Sequence, residues 1–233
     1  MYKPKSIAID GPAGSGKTTI GAALARRLGY LLFDTGVIYR AATLAALRQG
    51  VPISDERAVT QVAQSLNLEI TAPTADDGRL YSVFLDGEDV TWQLRGPEVD
   101  ANVSQVSAYP GVRQALLEQQ RRVALQGQVV VVGRDIGSVV LPEAELKIYL
   151  DASPEERARR REKELRERGS AAAYADILAN IVQRDCIDSG RAIAPLRMAA
   201  GAYYLDTTGC SIEEVLCRLE QLLCKVGNES SRT

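Results

Sequence analysis

One glycine-rich stretch near the start of the chain holds the residues best suited to chemistry. It reads Gly11-Pro12-Ala13-Gly14-Ser15-Gly16-Lys17-Thr18 and fits G-x-x-x-x-G-K-[ST] at every fixed position. Glycines let the backbone turn its N–H groups inward around an anion, and a following helix adds the positive end of its dipole. Lys17 can reach the β- and γ-phosphates of a nucleotide, and the Thr18 hydroxyl can bind Mg²⁺. The stretch, together with Thr19, therefore predicts a site for a nucleoside triphosphate.

The flanking sequence supplies the elements that such a loop requires. Ser6–Asp10 is a short apolar run typical of a buried strand, and residues 19–28 carry Ile20, Leu24 and Leu28 at helical spacing. A strand, a glycine loop and the start of a helix follow one another. This order favours a phosphate site over a glycine-rich turn without a ligand.

Composition limits the possible classes of function. The chain has 233 residues, of which 45% are apolar and 25% charged, and its net charge of −2 gives no basic field for nucleic acid. It contains no histidine, which excludes acid–base or nucleophilic catalysis by that residue. No apolar run approaches the roughly 20 residues of a membrane span, and we expect no signal peptide before the first strand. We expect a cytoplasmic monomer that binds neither nucleic acid nor membrane.

The four cysteines carry no recognisable metal or redox motif. Cys186, Cys210, Cys217 and Cys224 include no C-x-x-C pair, and no histidine is present to complete a zinc site. We predict that they are reduced thiols in or near the core.

Strands and helices alternate along most of the chain. Residues 31–33 form a short apolar strand that ends at Asp34, and residues 128–132 form a β-branched run typical of a central parallel strand. This alternation predicts an α/β fold around a parallel sheet. In such sheets ligands lie outside the carboxyl ends of the strands, so Asp34, Tyr39 and Arg40 are expected near the triphosphate.

Residues 66–93 depart from this pattern. They alternate as exposed antiparallel strands do, and they contain the turn sequences Asp76-Asp77-Gly78 and Asp86-Gly87. We therefore predict a small antiparallel insertion carried on the α/β core.

Residues 153–190 also depart from the alternation of strands and helices. Ser153 is suited to cap a charged helix, and a second helix is expected from about Tyr174 to Cys186, followed by a polar turn. A charged helical pair can act as a lid whose arginines, Arg157 and Arg161 among them, neutralise a transferring phosphoryl group. The alternative is a solvated surface held by salt bridges.

The central strand lacks a carboxylate that many nucleotide-hydrolysing enzymes have. In most P-loop NTPases this strand ends in an Asp that helps to hold Mg²⁺, whereas Val132 and Gly133 precede Arg134-Asp135 here. This difference argues against a motor-type ATPase, and no Asn-Lys-x-Asp motif supports a GTPase. A kinase of small molecules remains.

Several stretches together resemble the bacterial cytidylate kinase family of P-loop nucleoside monophosphate kinases. They are residues 34–40 (DTGVIYR), 104–107 (SQVS), 133–137 (GRDIG) and 194–196 (APL), and Arg184-Asp185 with Asp188 and Arg191. The resemblance covers nearly the whole chain. It implies one kinase domain over residues 1–233, with a three-layer α/β/α core and a central parallel five-stranded sheet. The insertion at 66–93 would belong to the monophosphate-binding region, and residues 153–190 would form the lid.

The same resemblance implies roles for individual residues. The acceptor phosphate would be held by Arg40, Arg134 and Arg191, the cytosine by Ser104, Arg113 and Asp135, and the sugar by Arg184 and Asp188, with Thr35 and Tyr39 lining that pocket. Catalysis would depend on Lys17, Arg134, Arg157 and Arg161. With Val132 in place of a carboxylate, Thr18 and Asp34 are the expected ligands of Mg²⁺.

The chemistry of cytosine agrees with these residue types. Cytosine presents an amino donor beside the acceptors N3 and O2, which suit a carboxylate and Arg or Ser donors, whereas uracil would leave buried groups mismatched. We therefore predict ATP- and Mg²⁺-dependent phosphorylation of CMP and dCMP. Two alternatives remain: a P-loop kinase of another small acceptor such as UMP or AMP, and a nucleotide-binding regulatory module without turnover.

Overall fold

The computed structural model describes residues 3–71, 73–125, 127–167, 169 and 172–230, without the side chains of residues 123 and 228–230. The strands are β1 (Ser6–Asp10), β2 (Leu31–Asp34), β3 (Leu68–Thr71), β4 (Ser82–Leu85), β5 (Glu88–Asp89), β6 (Val129–Gly133), β7 (Leu146–Asp151) and β8 (Tyr203–Asp206). The helices are α1 (Lys17–Leu28), α2 (Gly36–Arg48), α3 (Glu56–Gln64), α4 (Pro97–Ala108), α5 (Pro110–Ala124), α6 (Pro154–Glu167), α7 (Tyr174–Gly190) and α8 (Ile212–Ser230). A 3₁₀ turn at Gln93–Arg95 and a π-helical turn at Ile136–Val140 complete these elements.

The chain forms two compact units. The first unit comprises Met1–Phe33, Ala124–Gly190 and Ala194–Thr233, and the second comprises Asp34–Val123 and Arg191–Ile193. The prediction of a single domain over residues 1–233 stays a prediction.

The first unit is built on a five-stranded parallel sheet with the order β2-β6-β1-β7-β8. β1 lies between β6 and β7, and its register pairs Ile9 with Val132 and Asp10 with Gly133. The central strands are buried on both faces, which their β-branched, apolar residues allow. Because parallel strands end at the same edge, the loops that follow Asp10 and Gly133 begin side by side. The predicted fold is confirmed.

Helices α1 and α8 cover one face of this sheet. Ile20, Leu24 and Leu28 recur every four residues along α1 and pack with Leu219 and Leu223 of α8 in one apolar cluster. α8 begins with a reciprocal cap in which the Ser211 N–H donates to Glu214 and the Glu214 N–H donates to the Ser211 hydroxyl. The core of the unit therefore lies against the strands that precede the glycine-rich loop and Arg134.

Helices α6 and α7 form the segment predicted to be a lid. Ser153 caps α6 by accepting the Glu156 N–H, as the sequence indicates. Ala158 of α6 packs against Ile177 and Ile181 of α7 in a small separate cluster. Residues 168, 170 and 171 of the predicted segment lie outside the described residues. That this pair moves as a lid stays a prediction.

The predicted end of α7 at Cys186 is wrong. α7 continues to Gly190, so that the polar residues expected in a turn lie on its last turns. No Gly or Pro interrupts residues 186–189, and Asp188 forms an ion pair that fixes the last turn.

The second unit contains α2–α5 and a three-stranded antiparallel sheet with the order β3-β4-β5. β4 and β5 are joined at Asp86 and Gly87, whose φ angles of 52° and 83° are those of a tight hairpin turn. The antiparallel sheet predicted within residues 66–93 is therefore confirmed.

The cysteines are free, but the prediction of burial is wrong for three of them. Cys186, Cys217 and Cys224 are exposed, and Cys210 is half-buried. α8 buries Leu216 and Leu219, so its cysteines fall on the opposite face.

Within the described residues, none of the helices combines the length and the apolar character that a membrane span requires.

Candidate active site

The glycine-rich loop connects β1 to α1 and has a backbone that only glycine adopts readily. Gly11, Gly14 and Gly16 have φ angles of 150°, 76° and 91°, and a Cβ atom on Gly11 would collide with the carbonyl oxygen of Leu150. α1 starts without a side-chain cap and without an acidic residue in its first turn. Its N-terminus therefore keeps a positive potential, and the loop fits the phosphates of a nucleotide.

Lys17 is buried at the first position of α1. Its Nζ donates to the Pro12 carbonyl oxygen over 2.5 Å and to the Ser15 hydroxyl over 3.3 Å. The ammonium group thus lies within the loop. Thr18 follows as a half-buried residue and Thr19 as an exposed one. Loop and helix start together form a compact set of donors at the carboxyl end of β1.

Arg157 lies at the start of α6, against this loop, rather than on an exposed face. It is 3% exposed, and its Nη1 donates to the Ala13 carbonyl oxygen over 3.1 Å. Asp185 of α7 accepts from Nη1 and Nη2 over 3.0 and 2.6 Å. Arg161 differs, because it is half-buried and pairs with Glu164 on its own helix over 2.8 Å.

Arg134 follows β6 at the same edge of the sheet. Its Nε donates to Asp188 Oδ2 over 2.8 Å, and Asp188 is 4% exposed. Asp135, the next residue, is buried, and Arg184 lies one turn before Asp188 on α7. The first unit thus brings together two residues to which the family resemblance gives roles at the acceptor phosphate and the sugar.

Asp10, at the end of β1, holds the turn that follows Arg134 and Asp135. Its carboxylate oxygens accept the N–H groups of Ile136 and Gly137 over 2.7 and 2.8 Å, and the residue is 2% exposed. The pKa of Asp10 is raised to about 6, mainly by burial and further by the nearby Asp135 carboxylate, against the opposing effect of the two hydrogen bonds and of Lys17. Sequence reasoning missed this residue, although a charge at the end of an otherwise apolar strand is a visible signal.

Val132 of β6, which stands where many P-loop proteins have an Asp, lies in the core. Val132 is 1% exposed, and a Cβ atom on Gly21 of α1 would come within 2.7 Å of its Cγ1. The side chain therefore faces the closely packed helix α1, where a charged group would be desolvated.

In the second unit, Tyr39 and Arg113 form a buried pair. The Arg113 guanidinium lies 5.2 Å from the centre of the Tyr39 ring and donates to the Ser107 carbonyl oxygen over 3.0 Å. Gln120 Nε2 donates to the Tyr39 hydroxyl over 3.1 Å. Ser104 is buried on α4. Gln120 was missed by sequence reasoning, although it falls at the helical spacing of buried Val112 and Leu116, where a polar side chain needs a partner.

Other predicted residues of the second unit lie at the start of α2 and in the short segment Arg191–Ile193. Thr35 is the buried N-cap residue of α2, and Asp34 Oδ1 accepts the Gly36 N–H over 3.0 Å.

Arg40 pairs with Asp100 over 2.6 Å and donates to the Leu94 carbonyl oxygen over 2.8 Å. Arg191 is 8% exposed. Asp34 here, like Thr18 in the first unit, offers the oxygen donors that Mg²⁺ prefers.

Comparison with known proteins decides the family. The family model described as cytidylate kinase matches residues 7–225. The chain belongs to the cytidylate kinase family. A cytidylate kinase from Herpetosiphon aurantiacus is 50% identical over 215 residues, which are 92% of each chain. A cytidylate kinase from Chloroflexus aggregans is 51% identical over 189 residues, 81% of this chain and 82% of the relative.

A solved structure supports the fold. A gluconokinase from Sinorhizobium meliloti superposes with a TM-score of 0.51 over 100% of this chain and 99% of its own, at 15% identity. At this identity the likeness concerns the fold alone. The cytidylate kinase family, the kinase class and the α/β fold predicted from the sequence are therefore confirmed.

Proposed function

We propose that this member of the cytidylate kinase family transfers the γ-phosphoryl group of ATP to CMP and dCMP, giving CDP and dCDP. The observation that carries the proposal is the ion pair of Arg134 and Asp188 at the edge of the sheet from which the glycine-rich loop starts. A protein that only senses ATP needs no second set of groups for a phosphate and a sugar.

In this proposal the glycine-rich loop of the first unit binds ATP, the phosphoryl donor. Residues Gly11 to Thr19 hold ATP through backbone N–H groups and the Lys17 ammonium. Thr18 and Asp34 would hold Mg²⁺, which would neutralise charge on the phosphates. Lys17, Arg134, Arg157 and Arg161 are the cationic residues that we assign to catalysis, through contact with the phosphates or through the position of the loop.

We assign the remaining residues to the acceptor. Ser104, Arg113 and Asp135 bind the cytosine, and Thr35 and Tyr39 line the acceptor pocket. The monophosphate is bound by Arg40, Arg134 and Arg191, and the sugar by Arg184 and Asp188. Asp188 is suited to a sugar hydroxyl because an ionised carboxylate accepts hydrogen bonds at both oxygens.

The reaction needs positioning rather than a general base. The oxygen of the acceptor monophosphate is already ionised at neutral pH, so it attacks the γ-phosphorus without losing a proton to the protein. The chain has no histidine, which fits a mechanism without one. Fixed cations reduce the repulsion between the two anions and stabilise the charge on the transferring group.

ADP release from ATP and Mg²⁺ tests the proposal, with CMP, dCMP, UMP, AMP and no acceptor compared side by side. We expect turnover with CMP and dCMP alone. Equal turnover of UMP or AMP would refute the base assignments, and ATP binding without acceptor-dependent ADP would instead support the regulatory module. The predicted monomer is part of the proposal, and light scattering after size-exclusion chromatography tests it. The cytoplasmic location stays a prediction.

A further inference from the structure

The guanidinium of Arg157 is held on three sides within the first unit. Nε donates to the Ala152 carbonyl oxygen over 2.8 Å, Nη1 to the Ala13 carbonyl oxygen, and both terminal nitrogens to Asp185. The arginine side chain is 3% exposed and that of Asp185 is 25% exposed. A bidentate pair of this kind fixes the orientation of the guanidinium plane.

The loop rests directly on this arginine. A Cβ atom on Gly14 would lie 3.2 Å from Arg157 Cβ, so the loop backbone touches the first turn of α6. The Ala13–Gly14 peptide is trans, as are all described peptides. In a trans peptide the C=O and N–H point in opposite directions. A bond that fixes the Ala13 carbonyl therefore also fixes the direction of the Gly14 N–H, on the side away from Arg157.

We propose that Arg157 and Asp185 are positioning residues for ATP: the pair orients the Ala13–Gly14 peptide so that the Gly14 N–H faces the phosphates. This inference rests on the proposed function, because it needs ATP in the loop. In this proposal the Asp185 carboxylate orients the Arg157 guanidinium. Arg157 then acts through the loop backbone and not on the transferring phosphoryl group. Through Arg157, Asp185 also connects α7, the helix that carries Arg184 and Asp188, to the nucleotide loop.

Calorimetric titration with ATP and Mg²⁺, without any acceptor, tests the proposal. In Asp185→Asn the amide cannot accept both guanidinium bonds, and the dissociation constant of ATP should rise about tenfold, the effect of one misdirected hydrogen bond to a charged phosphate. Glu162→Gln is the matched control. It removes an ion pair with Arg166 on the outer part of α6, and the dissociation constant should not change.

The double variant Arg157→Met/Asp185→Leu separates positioning from stability. An apolar pair can replace a buried ion pair without loss of stability, so the melting temperature should return toward that of the wild type. The dissociation constant of ATP should stay about tenfold weaker or more, because nothing then holds the Ala13 carbonyl. If affinity recovers together with stability, the pair is merely structural and the proposal is wrong. If Asp185→Asn is too unstable to titrate, the double variant decides alone.

Three further outcomes distinguish the failure of this inference from the failure of the function on which it rests. If Arg157→Met lowers kcat at saturating substrates while ATP binds normally, Arg157 acts on the phosphoryl group and the positioning role is refuted. If the wild type binds no ATP, both the function and the inference fail. A wild type that binds ATP but phosphorylates another acceptor leaves the inference standing.

Discussion

Asp10 shows how one side chain fixes the backbone next to two residues of the proposed site, Arg134 and Asp135. It bonds the backbone immediately after Asp135, and it does so from the last position of the strand that leads into the nucleotide loop. Its two acceptor bonds favour the ionised carboxylate, while burial opposes the charge more strongly. The residue is thus a positioning group whose environment makes it sensitive to pH.

The raised pKa of Asp10 predicts a specific pH dependence of stability. The folded protein binds the proton of Asp10 with a pKa of about 6, against the model-peptide value of 3.8. The favourable contribution of protonated Asp10 is therefore complete below pH 3.8 and is lost as pH rises through about 6. Relative to Asp10→Asn, which cannot titrate, the wild type should lose about 2 kcal/mol of unfolding free energy between pH 4 and 7.

Urea unfolding of the nucleotide-free protein measures this difference and avoids the titration of CMP itself. A difference between the two proteins that stays constant over the pH range would contradict the raised pKa.

Asp135 is the residue on which the choice of base depends in the proposed function. Asp135→Asn replaces a pure acceptor with a group that can also donate, so the mismatch with uracil is relieved and the match with cytosine is weakened. The ratio of kcat/KM for CMP to that for UMP should fall at least about tenfold. Glu143→Gln, an exposed carboxylate in the loop before β7, is the control and should leave the ratio unchanged. An unaltered ratio in Asp135→Asn would remove Asp135 from base recognition.

At the scale of elements, α5 supports an aromatic residue of α2 through one buried amide. Gln120 is 1% exposed and bonds the Tyr39 hydroxyl, and Tyr39 lies against Arg113. In Gln120→Leu the hydroxyl loses this partner and the ring can shift. We expect KM for CMP to rise a few-fold, on the order of one lost neutral hydrogen bond, with KM for ATP unchanged.

Exposed Gln114 on the same helix provides the control, since Gln114→Leu should change neither constant. Tyr39→Phe tests the connection, because removing the second partner of the bond should add little to the effect of Gln120→Leu. Fully additive effects would show that Gln120 acts without Tyr39.

The helix α7 shows which part of an element the sequence predicts. Composition and spacing predict that the helix exists, but the polar residues that follow Cys186 predict a turn there and an earlier end. The last turn forms nevertheless, since Asp188 is bonded to Arg134, which lies 54 positions earlier in the chain. Long-range pairs of this kind override local preferences, and a single sequence does not reveal them.

At the scale of the whole molecule, the single tryptophan allows the predicted one-domain behaviour to be tested. Trp92 belongs to the second unit, whereas far-UV circular dichroism reports helices of both units. If residues 1–233 unfold as one cooperative domain, urea transitions followed by Trp92 fluorescence and by circular dichroism should coincide. ATP with Mg²⁺ should shift both curves equally. Two separate midpoints would mean that the units unfold independently.

The fold and part of the site could be predicted from the sequence because their signals are local. The glycine-rich loop, its flanking strand and helix, and the β-branched run before Arg134 each lie within a few residues. The contacts of Arg157 with Ala13 and Asp185 could not be predicted, since they join positions 144 and 28 residues apart. Family resemblance supplied residue roles that neither spacing nor composition contains.

The bonds that Arg157 and Lys17 make to the loop carbonyls have a thermodynamic consequence. A loop whose peptides are already oriented has little conformational entropy left to lose when a ligand arrives. The cost of ordering this backbone is therefore met during folding rather than during nucleotide binding, and the loop acts as a preorganised receptor.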